Sequence, residues 1–80
     1  MDPFLGQIQL FAFNFEPIGW VQCKGQILNI AQNQALFALI GNIYGGNGTT
    51  TFALPNLQGA EPNPNTKYYI AVQGIFPPRN

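Results

Sequence analysis

Only a handful of side chains in this sequence could serve as acids, bases, nucleophiles or ligands. Charged residues are 8% of the 80-residue chain: Asp2, Glu16, Lys24, Glu61, Lys67 and Arg79, with no histidine. Acid–base work on a scissile bond needs two carboxyl groups converging on one site. The three carboxylates here fall in separate turn-like or terminal places. A nucleophile needs an adjacent base, and Cys23 has only its neighbour Lys24, which in a strand points to the opposite face. Zinc needs a His/Cys cluster, which one cysteine does not make. The loop Tyr44, Gly45, Gly46, Asn47, Gly48 invites a phosphate reading, because glycine permits positive φ. A phosphate loop, however, needs a Gly-Lys-Ser/Thr ending and a following helix, whereas Thr49, Thr50, Thr51 and Phe52 read as strand. Calcium wants several carboxylates, and this loop carries none. Each route lacks a required part, so the sequence predicts no enzyme, no cofactor and no metal site.

What the chain has instead is apolar content with little ionic coating. Hydrophobic residues are 46% and the net charge is zero, against roughly 25% charged residues in ordinary soluble proteins. A folded chain of this mass exposes roughly 4,800 Å² by surface scaling, so each charge must serve about 800 Å², one partner's share of a standard interface. The composition therefore predicts that much of the surface meets other copies in an oligomer or polymer. A monomer coated with Gln, Asn and Thr is the plainer alternative. Three scattered basic residues make nucleic acid a poor partner, although eleven aromatic rings (seven Phe, three Tyr, one Trp) could stack on bases. The apolar run over 35–40 is too short to insert in a membrane. The opening residues carry no basic region or apolar run, so no classical signal peptide is expected. A single cysteine excludes an internal disulfide framework. Cys23 reads as a small buried hydrophobe, with an intermolecular disulfide as the alternative.

The elements that must carry this surface follow from periodicity and punctuation. Residues 6–13 alternate, with Ile8, Leu10 and Ala12 on one side and Gln7, Gln9, Phe11 and Phe13 on the other, which predicts a strand covered on both faces. Pro17, Ile18 and Gly19 make a turn. Residues 20–23 and 26–28 flank Lys24 and Gly25 as a β-hairpin would, with Trp20 a core anchor unless it is exposed enough to stack on a ligand. Helical spacing over 30–40 places Leu36, Leu39, Ile40 and Ile43 on one stripe, widened by Phe37. Asn29, with Gln32 in a capping box, and Asn33 compete to start this helix, and Gly41 stops it. A short strand over 51–54 ends at Pro55. Residues 61–66 form a Pro/Asn-rich linker. Residues 67–75 form a last strand buried on both faces, with Gly74 a bulge or a close-packing site. The expected fold class is thus α+β, a small β-rich domain over residues 1–80 with one short helix between a β-hairpin and the C-terminal strands.

The order of these landmarks resembles a known family. Gly6, Gln7, Ile8, Phe11, Ala12, Phe15, Pro17, Gly19, Trp20, Cys23, Gly25, Gln26 and Leu28 are similar to the opening of the phage tail collar domain. Leu36, Phe37, Leu39, Ile40, Gly41, Tyr44, Gly45, Gly46, Gly48, Thr51, Phe52, Leu54, Pro55, Leu57 and Gly59 continue the match. The first four residues and the last thirteen resemble the bacterial branch called microcystin-dependent protein. The resemblance implies a structural module of trimeric fibre tips, with an extracellular or virion-tail location. The chain departs from the family's pattern at Asn56, where an acidic residue is usual, at Gln58, where Arg is usual, and at Asn47, often Asp. The long receptor-facing segment before the final strand is reduced to 61–66, so receptor binding does not carry over.

Two functions follow as expectations. In the first, the chain is a subunit that self-assembles into a fibre tip or filament, through Phe4, Leu5, Ile8, Leu10, Phe11 and Phe13 at one end. At the other end the candidates are Tyr68, Tyr69, Ile70, Val72, Ile75 and Phe76, with strand addition along 4–13 or 67–76. In the second, it is a carbohydrate or cell-surface receptor module using Tyr44, with Tyr68 and Tyr69 as further rings and Asn42 and Asn47 as hydrogen-bonding amides.

Overall fold

In a computed structural model of the chain, residues 3–12 and 15–78 are described. The order is β1 (Ile8–Phe11), β2 (Trp20–Gln22), β3 (Ile27–Asn29), α1 (Gln34–Ile40), β4 (Thr51–Ala53) and β5 (Lys67–Ala71). The strands form two antiparallel sheets, one ordered β1-β5-β2 and the other pairing β3 with β4. The result is a small β-rich, α+β architecture with one short helix, as the sequence predicts.

The most apolar strand takes the centre. In β5, Tyr69, Ile70 and Ala71 are buried, and both edges are occupied, by β1 in the register Ile8 to Ile70 and by β2 in the register Val21 to Ile70. The regular part of this strand is shorter than the expected 67–75. Beyond Ala71 the chain turns away, and Ile75 meets Phe4 in an isolated parallel bridge. Gly74 is the close-packing site: an added Cβ would stand 2.3 Å from the Pro3 carbonyl oxygen, at φ +150°.

The expected hairpin across Lys24 and Gly25 does not form. β2 pairs with β5 and β3 with β4, so residues 23–26 carry the chain from one sheet to the other. A turn at Lys24 and Gly25 would be closed by backbone bonds between Cys23 and Gln26, but the Cys23 amide donates to the Tyr68 carbonyl at 2.9 Å and the Gln26 carbonyl accepts from the Leu54 amide at 3.0 Å. The Gln26 side chain braces the crossing, its Nε2 donating to the Gln22 carbonyl at 2.7 Å and its Oε1 accepting from the Lys24 amide at 3.0 Å. The crossing is fastened to the segment after β4, where the Gly25 amide donates to the Pro55 carbonyl and the Leu57 amide to that of Cys23.

The helix is also shorter than its pattern. The Asn29 side chain accepts from the Ala31 amide at 2.8 Å, and the Asn33 amide closes a turn on the Ile30 carbonyl at 3.0 Å, so 30–33 is a turn and not helix. Asn33 is the N-cap residue, but its side chain donates to the Asn29 carbonyl rather than capping, and no Gln32 capping box forms. Gly41 ends the helix with its amide on the Phe37 carbonyl, 2.7 Å away. Ile43 falls past that stop and is 77% exposed, correcting its place on the buried stripe.

The core joins both sheets through Leu5, Cys23, Leu36, Phe52, Leu54 and Ile70, with the Phe37 ring 5.4 Å from that of Phe52. On the opposite face of the larger sheet Phe11 meets Trp20 edge-on at 5.2 Å and Tyr69 at 5.5 Å. Trp20 is half-buried there, a packing residue. The expected cover over both faces of the first strand is only partial, since Gln7, Ile8 and Gln9 are exposed and Phe13 lies outside the described residues.

Candidate assembly surface

Cys23, the single potential nucleophile, is 1% exposed, and burial pushes its thiol up to about 11. A thiol held protonated in an apolar core neither attacks nor ligates. Burial, and secondarily the Glu16 carboxylate, raises the Tyr69 phenol as well. Among the described residues no group of three or more His, Cys, Asp or Glu side chains is placed to hold a metal ion.

The residues proposed for assembly divide sharply. Leu5, Tyr69 and Ile70 lie in the interior, correcting their assignment to a contact surface: the sheet buries them within one copy. Strand addition along 67–76 fails for the same reason, since β5 is central and both its edges are used. Leu10, Phe11, Tyr68 and Val72 are half-buried. Phe4, Ile8, Ile75 and Phe76 are exposed, and Phe13 lies outside the described residues.

Three of the exposed four are brought together by the chain ends. The Leu5 amide donates to the Ile75 carbonyl at 2.8 Å and the Ile75 amide to the Pro3 carbonyl at 2.9 Å, which sets Phe4 beside Ile75 and Phe76. Ile75 also lines an open cleft of about 480 Å³ with Pro3, Ile18, Gly19, Trp20, Gln73 and Gly74. Ile18, 97% exposed at its rim, was not among the predicted contact residues. Its position between Pro17 and Gly19 was the available signal, because the tip of a tight turn points to solvent.

Of the residues named for sugar binding, Asn47 has its side chain engaged within its own loop. The Asn47 Oδ1 accepts from the amides of Thr49, Thr50 and Thr51 at 2.8, 2.8 and 3.1 Å, and its Nδ2 donates to Thr50 Oγ1 at 3.0 Å. Asn42 packs against Gly48, where a Cβ would come within 2.6 Å of its Nδ2. Tyr44 is exposed, whereas Tyr69, named as a further ring, is buried.

The geometry is thus two small sheets with Phe4, Ile75 and Phe76 exposed where the chain ends meet. Residues 6–62 match the family described as Phage Tail Collar Domain. The match spans more than half of the chain, which therefore belongs to that family, and membership implies a structural protein associated with the virion tail. Among curated proteins and among solved structures, nothing matches. Among the described residues no helix is long and apolar enough to cross a membrane.

Proposed function

We propose that this chain is a non-enzymatic subunit that joins copies of itself into a phage-tail-fibre-like tip or an extracellular filament. Residues 1–80 act as one unit in this reading, and the termini ally it with the microcystin-dependent-protein-like branch of the family. The observation that carries it is the exposed apolar group Phe4, Ile75 and Phe76, with Ile18 at the rim of the adjoining cleft, on a chain with only 8% charged residues. Large rings left in water, with little charge to keep molecules apart, favour association by apolar burial. A contact whose rotation closes gives a ring or trimer, and one that does not close gives a filament. Sedimentation velocity over a wide concentration range, with negative-stain imaging, tests the proposal. Concentration-dependent assembly is expected, and a monomer that persists at the highest concentration overturns it.

A further inference from the structure

The larger sheet has one open edge. In an antiparallel ladder the N–H and C=O of a residue point to the same side. The Cys23 amide donates to the Tyr68 carbonyl and the Val72 amide to that of Gly19, so Tyr68 and Ile70 face β2. The Ala71 amide donates to the Gln7 carbonyl and Gly6 to that of Ala71, so Lys67 and Tyr69 face β1. Their partners Gln9 and Phe11 therefore point inward, and the backbone groups of Ile8 and Leu10 point out of the sheet.

The remaining edges are closed or nearly so. On β2, the outward amide of Trp20 donates to the Pro17 carbonyl at 3.0 Å, and that of Gln22 to the Glu16 carboxylate at 2.9 Å. On β4, the Ala53 amide is taken by the Gly45 carbonyl, and Thr51 by Asn47 Oδ1 and the Gly48 amide. β3 has its Asn29 carbonyl occupied by Asn33 Nδ2, which leaves Ile27 and the Asn29 amide. Among the described residues only β1 offers both the N–H and the C=O of two alternate residues, Ile8 and Leu10. It carries neither Lys nor Pro, the usual guards of an exposed edge.

We propose that β1 pairs antiparallel with β1 of a second copy about a two-fold axis at Gln9. This rests on the self-association proposed above and names its contact. Of the possible registers, this one satisfies the outward groups of both residues in both copies: Ile8 exchanges bonds with the partner copy's Leu10, and Leu10 with its Ile8. The side chains agree. Ile8, 41% exposed, then lies against Leu10, apolar on apolar, and Gln9 faces Gln9 with no charge opposed. Because β2 is capped, the joined sheet β2-β5-β1-β1-β5-β2 ends on closed edges. The strand contact stops at two copies, and any larger assembly uses the Phe4, Ile75 and Phe76 surface.

The two-fold register makes the test self-checking. Gln9→Lys and Gln9→Glu each place like charges directly opposite, so each alone should weaken association about fivefold or more by sedimentation velocity. An equimolar mixture of the two should restore it. Gln9→Cys should give a disulfide-linked dimer on mild oxidation, since residues opposite in a non-hydrogen-bonded pair approach to within about 5 Å. Ile8→Cys, offset from its own copy across the axis, should not. If wild type associates while both charge variants associate equally and Gln9→Cys stays uncrosslinked, this pairing is wrong and self-association stands. If wild type never associates, both fall.

Discussion

Cys23 shows how burial turns a reactive group into packing. Its thiol, with an ordinary value of 9.0, is raised to about 11 by its apolar surroundings. Between these values the unfolded chain has lost the proton that the folded chain keeps, so unfolding is favoured as pH climbs. The contribution of Cys23 is therefore present in full below about pH 9 and declines up to about pH 11, by on the order of 2 kcal/mol. Chemical denaturation across this window should show the decline, partly shared with Tyr69, whose phenol shifts in the same direction. A thiol reagent at neutral pH should label Cys23 at the rate of global unfolding; rapid labelling of the native chain would contradict a sealed core.

The loop between α1 and β4 works as one device with its strand. Gly46 has φ +86°, and an added Cβ would lie 2.4 Å from the Phe52 Cα and 2.7 Å from the Thr51 carbonyl oxygen. Gly59 has a similar φ of +89° with nothing within 4 Å. The two positions separate backbone preference from close approach. Gly59→Ala should cost about 1–2 kcal/mol, the left-handed penalty alone. Gly46→Ala should cost about 3 kcal/mol or more, because β4 must move away from the loop and disturb Phe52 in the core. Equal midpoint shifts in urea for the two variants would show that the loop does not press on the strand. Helix α1 depends on the same packing: seven residues form too short a helix to persist alone, and Leu36 and Phe37 hold it against Phe52.

For the whole molecule, association driven by apolar burial and backbone pairing makes a distinct statement about salt. Screening at high ionic strength weakens contacts between exposed charges, but only six residues here are charged, three of each sign. Dissociation constants from sedimentation should change less than about twofold between low and moderate sodium chloride. Sulfate, excluded from apolar surface, should strengthen association. A steep loss with sodium chloride would place the contact on Glu16, Lys24, Glu61 or Lys67 and away from the apolar patch. The edge of β2 belongs to this level too: its outward amides are already engaged, Trp20 by the Pro17 carbonyl and Gln22 by the Glu16 carboxylate.

Composition and local pattern carried a definite share of this account. The shortage of charge, the helix stop at Gly41 and the collar-domain landmarks were legible along the chain, because each depends on residue type or on neighbours a few positions away. Gly74, by contrast, read equally as a bulge or a close-packing site until Pro3 was placed against it. Pairing was not legible. Nothing local shows that Cys23 bonds to one sheet and Gln26 to the other, or marks Asn29 as the residue that delays the helix by a turn. Nor does the pattern of 67–75 reveal that Tyr69 and Ile70 are walled in by β1 and β2 instead of facing a neighbour. A strand is hydrophobic on both faces whether it is covered by its own chain or by another copy. Only the tertiary structure, by placing β5 in the centre and β1 at the rim, decided which apolar residues are core and which are exposed.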